Sequence, residues 1–197
     1  GGDPYAGEPV VQSMSLNFDI SIVPYFWIPA DTMRQHIKTD RVPYDQWEKR
    51  GLLTATEGNV IDYDRILKDI TGPIVEQFPL LAGAEIGYDP AFATDLAVKL
   101  QNYGFTMVEI PQNYRHFSEP CHIMEAMIKG GRVHHSGHRV LRWNVENVAV
   151  KRDDAGRLRP VKPRRTAKRI DGLVAALMGL ARAMVAPLET DTGVDFL

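Results

Sequence analysis

The 197-residue sequence is short of the features that mark several large classes of proteins. Its single cysteine, Cys121, excludes an intramolecular disulfide framework and is typical of a reducing compartment. No apolar run approaches the roughly 20 residues of a membrane-spanning helix, and the N-terminal GGDPYAGEPVV lacks the basic and apolar regions of a signal peptide. Because there is no Gly-x-x-x-x-Gly-Lys phosphate loop, we do not expect ATP hydrolysis. These absences, with 44% hydrophobic and 24% charged residues, indicate a soluble, intracellular protein of one domain.

Positive charge is concentrated in one segment of the chain. Residues 151–169 hold nine basic side chains against Asp153 and Asp154, whereas the whole chain has a net charge of −2. The nine are Lys151, Arg152, Arg157, Arg159, Lys162, Arg164, Arg165, Lys168 and Arg169. Such a segment suits contact with a polyanion, although a solvated, mobile loop is the more frequent origin of a charge run taken alone.

A strand, a helix and a second strand follow one another in the middle of the chain. Residues 84–88 form a short apolar run, an amphipathic helix extends from Phe92 to Tyr103, and residues 105–110 form another apolar run. Gly104 supplies the end of the helix. Because two strands joined by a helical crossover lie parallel, this order predicts an α/β fold with a partly parallel sheet.

The remaining elements are predicted from the same patterns. In chain order they are a strand over 18–23 that continues as a buried stretch over 24–29, a helix over 43–50, a loop over 54–59, a helix over 61–75 that bends at Gly72-Pro73, helices over 120–129 and 140–146, a hairpin of 148–152 with 157–161, and a final helix over 170–184. Gly156 suits a left-handed position in the hairpin turn.

Two aspartates stand where a catalytic site could form. Asp89 follows a predicted strand, at the end where open α/β sheets place their ligands, but an aspartate before proline is also a good helix cap. Asp171 opens the last helix, where the helix dipole favours a carboxylate, and the basic segment runs directly into it. Two carboxylates on different elements suit a hard divalent cation such as Mg²⁺. On residue chemistry alone, capping explains each aspartate at least as well.

The histidines raise a competing hypothesis. His134, His135 and His138, together with Cys121 and His122, carry atoms that can bind zinc. Their spacing matches no structural zinc pattern, and the His-x-x-x-His pair lacks the glutamate of the zinc proteases. We therefore interpret the histidines as surface or partly buried residues. The cysteine lies in no recognisable nucleophile motif.

Five stretches in order resemble one protein family. They are Pro24-Tyr25-Phe26-Trp27-Ile28-Pro29 with Asp31; the tryptophan-containing stretch 42–59 (VPYDQWEKRGLLTATEGN); Ile86-Gly87-Tyr88-Asp89 with Gly104-Phe105 and Gln112; Leu141-Arg142-Trp143 with Asn147; and Pro160-Val161-Lys162 with Arg169-Ile170-Asp171-Gly172. Together they resemble the C-terminal nuclease half of the large terminase subunit of tailed double-stranded-DNA bacteriophages, over residues 18–184.

This resemblance implies a ribonuclease H-like fold, a mixed sheet flanked by helices. Residues 1–186 would be the nuclease domain and 187–197 a C-terminal tail. Asp89 and Asp171 would be the catalytic residues and would bind two Mg²⁺ or Mn²⁺ ions, with Asn147 and Lys162 as neighbours of the site. The nine basic residues of 151–169 would contact DNA phosphates.

The resemblance also implies in which process the domain acts and with which partners. The domain would hydrolyse duplex DNA by a two-metal mechanism during genome packaging in the cytoplasm of the bacterial host. Its partners would be double-stranded DNA, the terminase ATPase domain, the small terminase subunit and the portal, with no membrane involved.

One departure from the family pattern concerns the N-terminus. The family's first metal-binding aspartate lies on the first strand, and nothing before Phe18 resembles that strand. Neither Asp3, in a Gly/Pro-rich stretch, nor Asp19, in what resembles the third strand, is a good substitute. We therefore expect a shortened nuclease domain that lacks its first strand or strands. Two alternatives remain: a catalytically inactive DNA-binding or assembly module, and another ribonuclease H-like nuclease such as a resolvase or transposase, which the stretch 42–59 disfavours.

Overall fold

The computed structural model describes residues 18–40, 42–163 and 168–185. Within these ranges helices alternate with short strands, and the strands form four two-stranded pairs, of which three are parallel and one is antiparallel. The predicted α/β class is confirmed, although the described strands form separate pairs rather than the single mixed sheet we expected. The predicted tail and the predicted loss of a first strand both fall outside the described residues.

The elements have the following bounds. The strands are β1 (Ile20–Ser21), β2 (Trp27–Pro29), β3 (Thr54–Thr56), β4 (Glu85–Tyr88), β5 (Thr106–Glu109), β6 (Val133–His134), β7 (Ala149–Arg152) and β8 (Leu158–Val161). The helices are α1 (Ala30–Asp40), α2 (Tyr44–Lys49), α3 (Tyr63–Asp69), α4 (Val75–Gln77), α5 (Thr94–Asn102), α6 (Tyr114–Lys129), α7 (Arg139–Glu146) and α8 (Asp171–Ala183). None of the described helices is both long enough and apolar enough to cross a bilayer.

The predicted strand–helix–strand unit is confirmed. β4 and β5 pair in parallel, with Glu85 opposite Thr106 and Tyr88 opposite Glu109. Between them α5 buries Leu100 on its apolar face, and Gly104, with φ of +95°, takes the left-handed conformation that ends the helix. The carboxyl ends of both strands therefore meet at one edge, and Asp89 follows directly from one of them.

The predicted bend at Gly72-Pro73 is a change of helix type. α3 continues as a π-helical turn over Ile70–Ile74 and then as α4. Pro73 has no N–H to donate, so the regular hydrogen-bond ladder cannot continue through it, and the wider turn absorbs the gap.

Two short strands were not predicted. We expected a loop over 54–59, which is wrong for its first part, because Thr54–Thr56 forms β3 in parallel with β2. β6 pairs with β1 in the same way. The sequences Thr-Ala-Thr and Val-His are too short to show alternation, and their extended conformation depends on a partner that is distant in sequence.

The start of α6 was also predicted wrongly. We placed it at Pro120, but the helix begins at Tyr114, where the side chain of Asn113 caps it by accepting from the His116 N–H at 3.1 Å. Pro120 lies inside the helix and is buried. It removes one backbone hydrogen bond, and the burial of apolar side chains on this face, including Phe117 and Met124, offsets that loss.

The main core lies between α6 and α8. It contains Ile110, Phe117, Met124, Met127, Ile170, Leu173, Val174, Leu177, Met178 and Leu180. The β7–β8 hairpin packs on α6, and β4 packs on α8. A second, smaller cluster surrounds α2 and is formed by Met33, Tyr44, Trp47, Leu53 and Val140. α8 therefore connects the parallel pair β4–β5 to the rest of the fold.

Candidate metal centre and nucleic-acid interface

Asp89 is held at the end of β4 by contacts to both carboxylate oxygens. Its Oδ1 accepts from the Ala91 N–H at 3.0 Å, and its Oδ2 accepts from the Gln112 amide at 2.6 Å. α5 begins only at Thr94, so the carboxylate caps the turn before the helix and not the helix itself. Since a carboxylate offers about four lone-pair positions, these two contacts leave acceptor capacity for a cation.

Gln112 links the ends of the two parallel strands. It lies three residues beyond β5, and its amide reaches across to Asp89, which lies directly after β4. Beside this link the Tyr88 hydroxyl donates to Glu109 at 3.0 Å. Burial first, and then the hydrogen bond to Glu109, raise the pKa of Tyr88, so its hydroxyl stays protonated as a donor. Gln112 thus fixes how the Asp89 carboxylate is oriented.

Asp171 is the first residue of α8, and its side chain is 69% exposed. The Lys162 ammonium, just beyond β8, lies 3.5 Å from its Oδ1. An exposed pair of this kind contributes roughly 0–1 kcal/mol to stability, so it orients the two groups more than it stabilises the fold. The structure therefore brings together two of the residues that the sequence associated with the site.

Two buried asparagines of the α7 region anchor the backbone on either side of Asp171. The Asn144 side chain accepts from the Gly172 N–H at 2.9 Å and donates to the Val140 carbonyl. Asn147 donates to the Arg169 carbonyl at 3.1 Å. The first N–H groups of a helix have no partner within the helix, so Asn144 satisfies a donor that would otherwise be buried and unpaired. Asn147 was predicted as a site neighbour, whereas Asn144 was missed.

Gly172 lets the segment before β2 approach the start of α8. A Cβ atom at this position would lie 2.7 Å from the Cζ of Phe26 and 3.4 Å from a methyl group of Leu141. Only glycine fits this spacing without movement of the ring. The aromatic stretch around residue 26 and the helix that begins with Asp171 therefore form one packed unit.

The predicted DNA-binding residues divide into two groups. In the hairpin, Arg152 donates to the Gly156 carbonyl at 2.9 Å and Arg157 donates to Asp153 at 2.8 Å, so both help to hold the turn. Gly156 has the predicted positive φ, +79°. Cross-strand partners share a face of a sheet, and Lys151 lies opposite Arg159 on the face away from buried Leu158.

Two of the basic side chains contact other helices: Arg159 reaches α6, and Arg169 reaches α1. The guanidinium of Arg159 stacks over the Tyr114 ring at 5.1 Å, and Arg169 lies 3.0 Å from the His36 ring nitrogen. Lys168 is half-buried. Arg164 and Arg165 lie outside the described residues.

Residues 10–186 match the family model described as "Terminase large subunit, endonuclease domain". The chain belongs to this family. It is 34% identical over 185 residues to Protein YmfN of Escherichia coli (strain K12), covering 90% of this chain and 39% of that protein. It is 33% identical over 177 residues to "Terminase, large subunit" of Enterobacteria phage HK97, covering 89% of this chain and 34% of that protein.

The solved structure of the HK97 bacteriophage large terminase shares the fold. The superposition has a TM-score of 0.72 at 30% sequence identity, and it covers 82% of this terminase domain and 33% of the HK97 chain. The domain thus spans a third to two fifths of the length of the relatives that it matches. The predicted family is confirmed, and with it the mixed α/β architecture of a terminase nuclease domain.

The zinc-capable side chains of this terminase domain have other contacts. His134 lies 2.9 Å from Asp19, across the β1–β6 pair, and His138 caps α7 by accepting from the Leu141 N–H. Burial first, and then the nearby His135, lower the pKa of His138, so its ring is neutral at pH 7. In the ranges that the structure describes, no three His, Cys, Asp or Glu side chains cluster as a metal site.

Cys121 should be an unreactive thiol in the folded terminase domain. Burial raises its pKa to about 11, so the nucleophilic thiolate is scarce at pH 8. We expect iodoacetamide to alkylate it at least about 10-fold more slowly in the native chain than in the same chain unfolded in urea, where the pKa is about 8.5. Mass spectrometry at timed intervals measures both rates. Equal rates would show that the thiol is accessible and ionised.

Proposed function

We propose that this terminase domain is a divalent-metal-dependent endonuclease that hydrolyses duplex DNA, with Asp89 and Asp171 as its metal ligands. We further propose that its strand pairs belong to a ribonuclease H-like sheet. Family membership supports the nuclease activity. The observation that carries the choice of residues is that β4, which Asp89 directly follows, packs on α8, which begins with Asp171.

An ion pair between the last turn of α8 and the start of β4 supports a meeting of the two carboxylates. Arg182, in the last turn of α8, forms an ion pair with Glu85, the first residue of β4. At about 1.5 Å per residue, Asp171 lies about 16 Å back along the helix axis from Arg182. At about 3.3 Å per residue, Asp89 lies about 13 Å beyond Glu85. If the helix runs antiparallel to the strand, both aspartates come to the same end of the packed pair.

The chemistry of the donors fits Mg²⁺ or Mn²⁺. Both ions prefer oxygen ligands and keep several waters, so carboxylates from different elements, together with phosphates of the substrate, are the ligands that they use. When two such ions are bound, they activate a water molecule and stabilise the leaving oxygen of a phosphodiester. Asp89 and Asp171 would hold these ions through their carboxylate oxygens.

The chain's own residues would prepare this site in three ways. Gln112 orients Asp89 through its 2.6 Å hydrogen bond. Asn144 and Asn147 fix the backbone around Asp171, and Lys162 balances the charge of that exposed carboxylate. A lysine in this position can also contact a DNA phosphate, which would place the backbone of the substrate beside the ions.

The wider substrate and partners follow from the family as proposals. The basic residues of 151–169 would hold duplex DNA through its phosphates, so binding would depend on salt rather than on sequence. We propose that the domain works with the terminase ATPase domain, the small terminase subunit and the portal during genome packaging.

A second candidate function is a DNA-binding or assembly module without nuclease activity. It is favoured by the absence, among residues 18–40, 42–163 and 168–185, of a third acidic, histidine or cysteine side chain grouped with a carboxylate pair. Two carboxylates alone would hold ions weakly, and weak occupancy would leave binding without cleavage.

Supercoiled plasmid incubated with the chain and Mn²⁺ separates the two functions. We expect conversion to nicked and linear forms that stops when EDTA is added, because the ions activate the water and stabilise the leaving oxygen. Gel electrophoresis follows the conversion, and a mobility-shift assay in EDTA measures binding alone. A mobility shift in EDTA, together with no plasmid cleavage at any Mn²⁺ concentration, would favour the inactive module.

A further inference from the structure

A basic cleft lies beside the start of α8 and apart from the segment 151–169. Its volume is about 550 Å³, and three stretches of chain form its walls: residues 22–26, residues 50–54 and residues 135–139. Arg50 and Arg139 line it, together with His135 and the neutral His138, and none of the Asp and Glu side chains in the described part of the chain does. A cleft with cationic walls and no acidic residue favours an anion over a cation as its ligand.

The cleft adjoins the first turn of α8 through one aromatic ring. Phe26 lines the cleft, and its ring lies 5.6 Å from the ring of His138. The same ring approaches Gly172 so closely that a Cβ there would lie 2.7 Å from it. One side chain therefore contacts both the cleft and the first turn of α8.

The polar groups of the cleft suit a phosphodiester. The two arginines come from different elements, the end of α2 and the first residue of α7, and both are exposed to solvent. A guanidinium binds two phosphate oxygens at once through its fixed N–H groups. Between the histidines, Ser136 and Gly137 take positive φ values of +48° and +67°, so the backbone follows a tight turn along the wall of the cleft.

We propose that this cleft binds a backbone phosphate of the DNA, with Arg50 and Arg139 as the phosphate-binding residues. The site would give the duplex a second point of attachment, on the other side of Phe26 from Asp171. The substrate would then be held from two directions, by the 151–169 segment and by the cleft. The proposal rests on duplex DNA as the substrate and does not depend on Asp89 or Asp171.

The salt dependence of DNA binding tests the proposal. Fluorescence anisotropy with a labelled duplex, in EDTA to prevent cleavage, gives the Kd of the whole chain at several salt concentrations. For the double variant Arg50→Gln/Arg139→Gln we expect binding about 10-fold weaker near 0.1 M salt. The slope of log K against log salt should fall by about 1, because the two arginines together neutralise one phosphate. The double variant Lys38→Gln/Lys68→Gln removes two exposed charges outside the cleft and should keep the slope.

The outcomes separate this proposal from the proposed nuclease activity. Equal slopes for the two double variants would overturn the cleft as a phosphate site, whatever the wild-type chain does to plasmid. A wild-type chain that bound no DNA would overturn the cleft and the DNA substrate together. Melting temperatures within the error of wild type show that a change in Kd is not due to unfolding. Retained cleavage with a lowered slope would support both proposals.

Discussion

Replacing Asp171 with asparagine should reduce plasmid cleavage by on the order of 10³-fold, because a neutral amide would be a poor ligand for the metal ions that we propose at this site. The fold should be unaffected. The side chain is 69% exposed, and its ion pair with Lys162 is of the weak, exposed kind. Cleavage rates in Mn²⁺ and thermal melting, measured on the same preparation, separate loss of activity from loss of structure.

The equivalent change Asp89→Asn should cause a loss of similar size. Ala91 and Gln112 donate to different oxygens of Asp89, and asparagine keeps only one acceptor oxygen, so one contact is lost and the cost in stability should be about 1 kcal/mol. Asp154→Asn, at the exposed tip of the β7–β8 hairpin, removes the same charge away from the proposed site and should cut like wild type. Wild-type rates for either site variant would remove that residue from the mechanism. Isothermal titration with Mn²⁺ should show weaker binding for both site variants and unchanged binding for the control.

The second large effect concerns stability. Gly172→Ala should lower the free energy of unfolding by about 1–2 kcal/mol, because the new methyl group would lie 2.7 Å from the Phe26 ring. The higher helix propensity of alanine offsets only part of this strain. Moving the ring would disturb both Gly172 and the neighbouring His138 ring, 5.6 Å away. Urea unfolding followed by circular dichroism measures the change.

The same helix provides a matched control. Gly179 is exposed, and a Cβ there would meet no atom within 4 Å, so Gly179→Ala should stabilise the domain by about 0.5–1 kcal/mol. The two substitutions make the same chemical change in α8, and they should differ in sign. If both stabilise the protein, the ring moves aside at little cost, and Gly172 is not required for packing.

The elements that were predicted most accurately are those whose residue pattern lies within one short stretch of the sequence. The apolar stripe of α8 and the strand–helix–strand unit around α5 repeat at a helical or short-strand period, and both are confirmed. β3 and β6 were missed because two or three residues cannot show a period, and their conformation depends on pairing with distant strands. α6 was shortened because Pro120 was taken as its start, whereas Asn113 supplies the true cap.

Some residues of the candidate site could likewise be predicted from the sequence, and others could not. Asp89 and Asp171 were found by their positions at the ends of elements and by family resemblance, and their role as ligands stays a prediction. Asn144 could have been suspected, since it shares the buried face of α7 with Val140 and Leu141, where a polar side chain needs a partner. That its partner is the N–H of Gly172 depends on how α7 and α8 pack, and no local pattern contains this information. Arg50 and Arg139 are 89 residues apart, and only the fold brings both to one cleft.

The aromatic cluster near α7 gives the protein an optical reporter of its own. Trp143 is adjacent in sequence to Asn144, and its ring lies 5.5 Å from that of Trp47 and 6.0 Å from that of Tyr44. A shift of α7 changes the distances among these rings, and with them the intrinsic emission of the indoles. Loosening of the Asn144–Gly172 hydrogen bond, which holds the beginning of α8, is therefore detectable by tryptophan fluorescence without an attached dye.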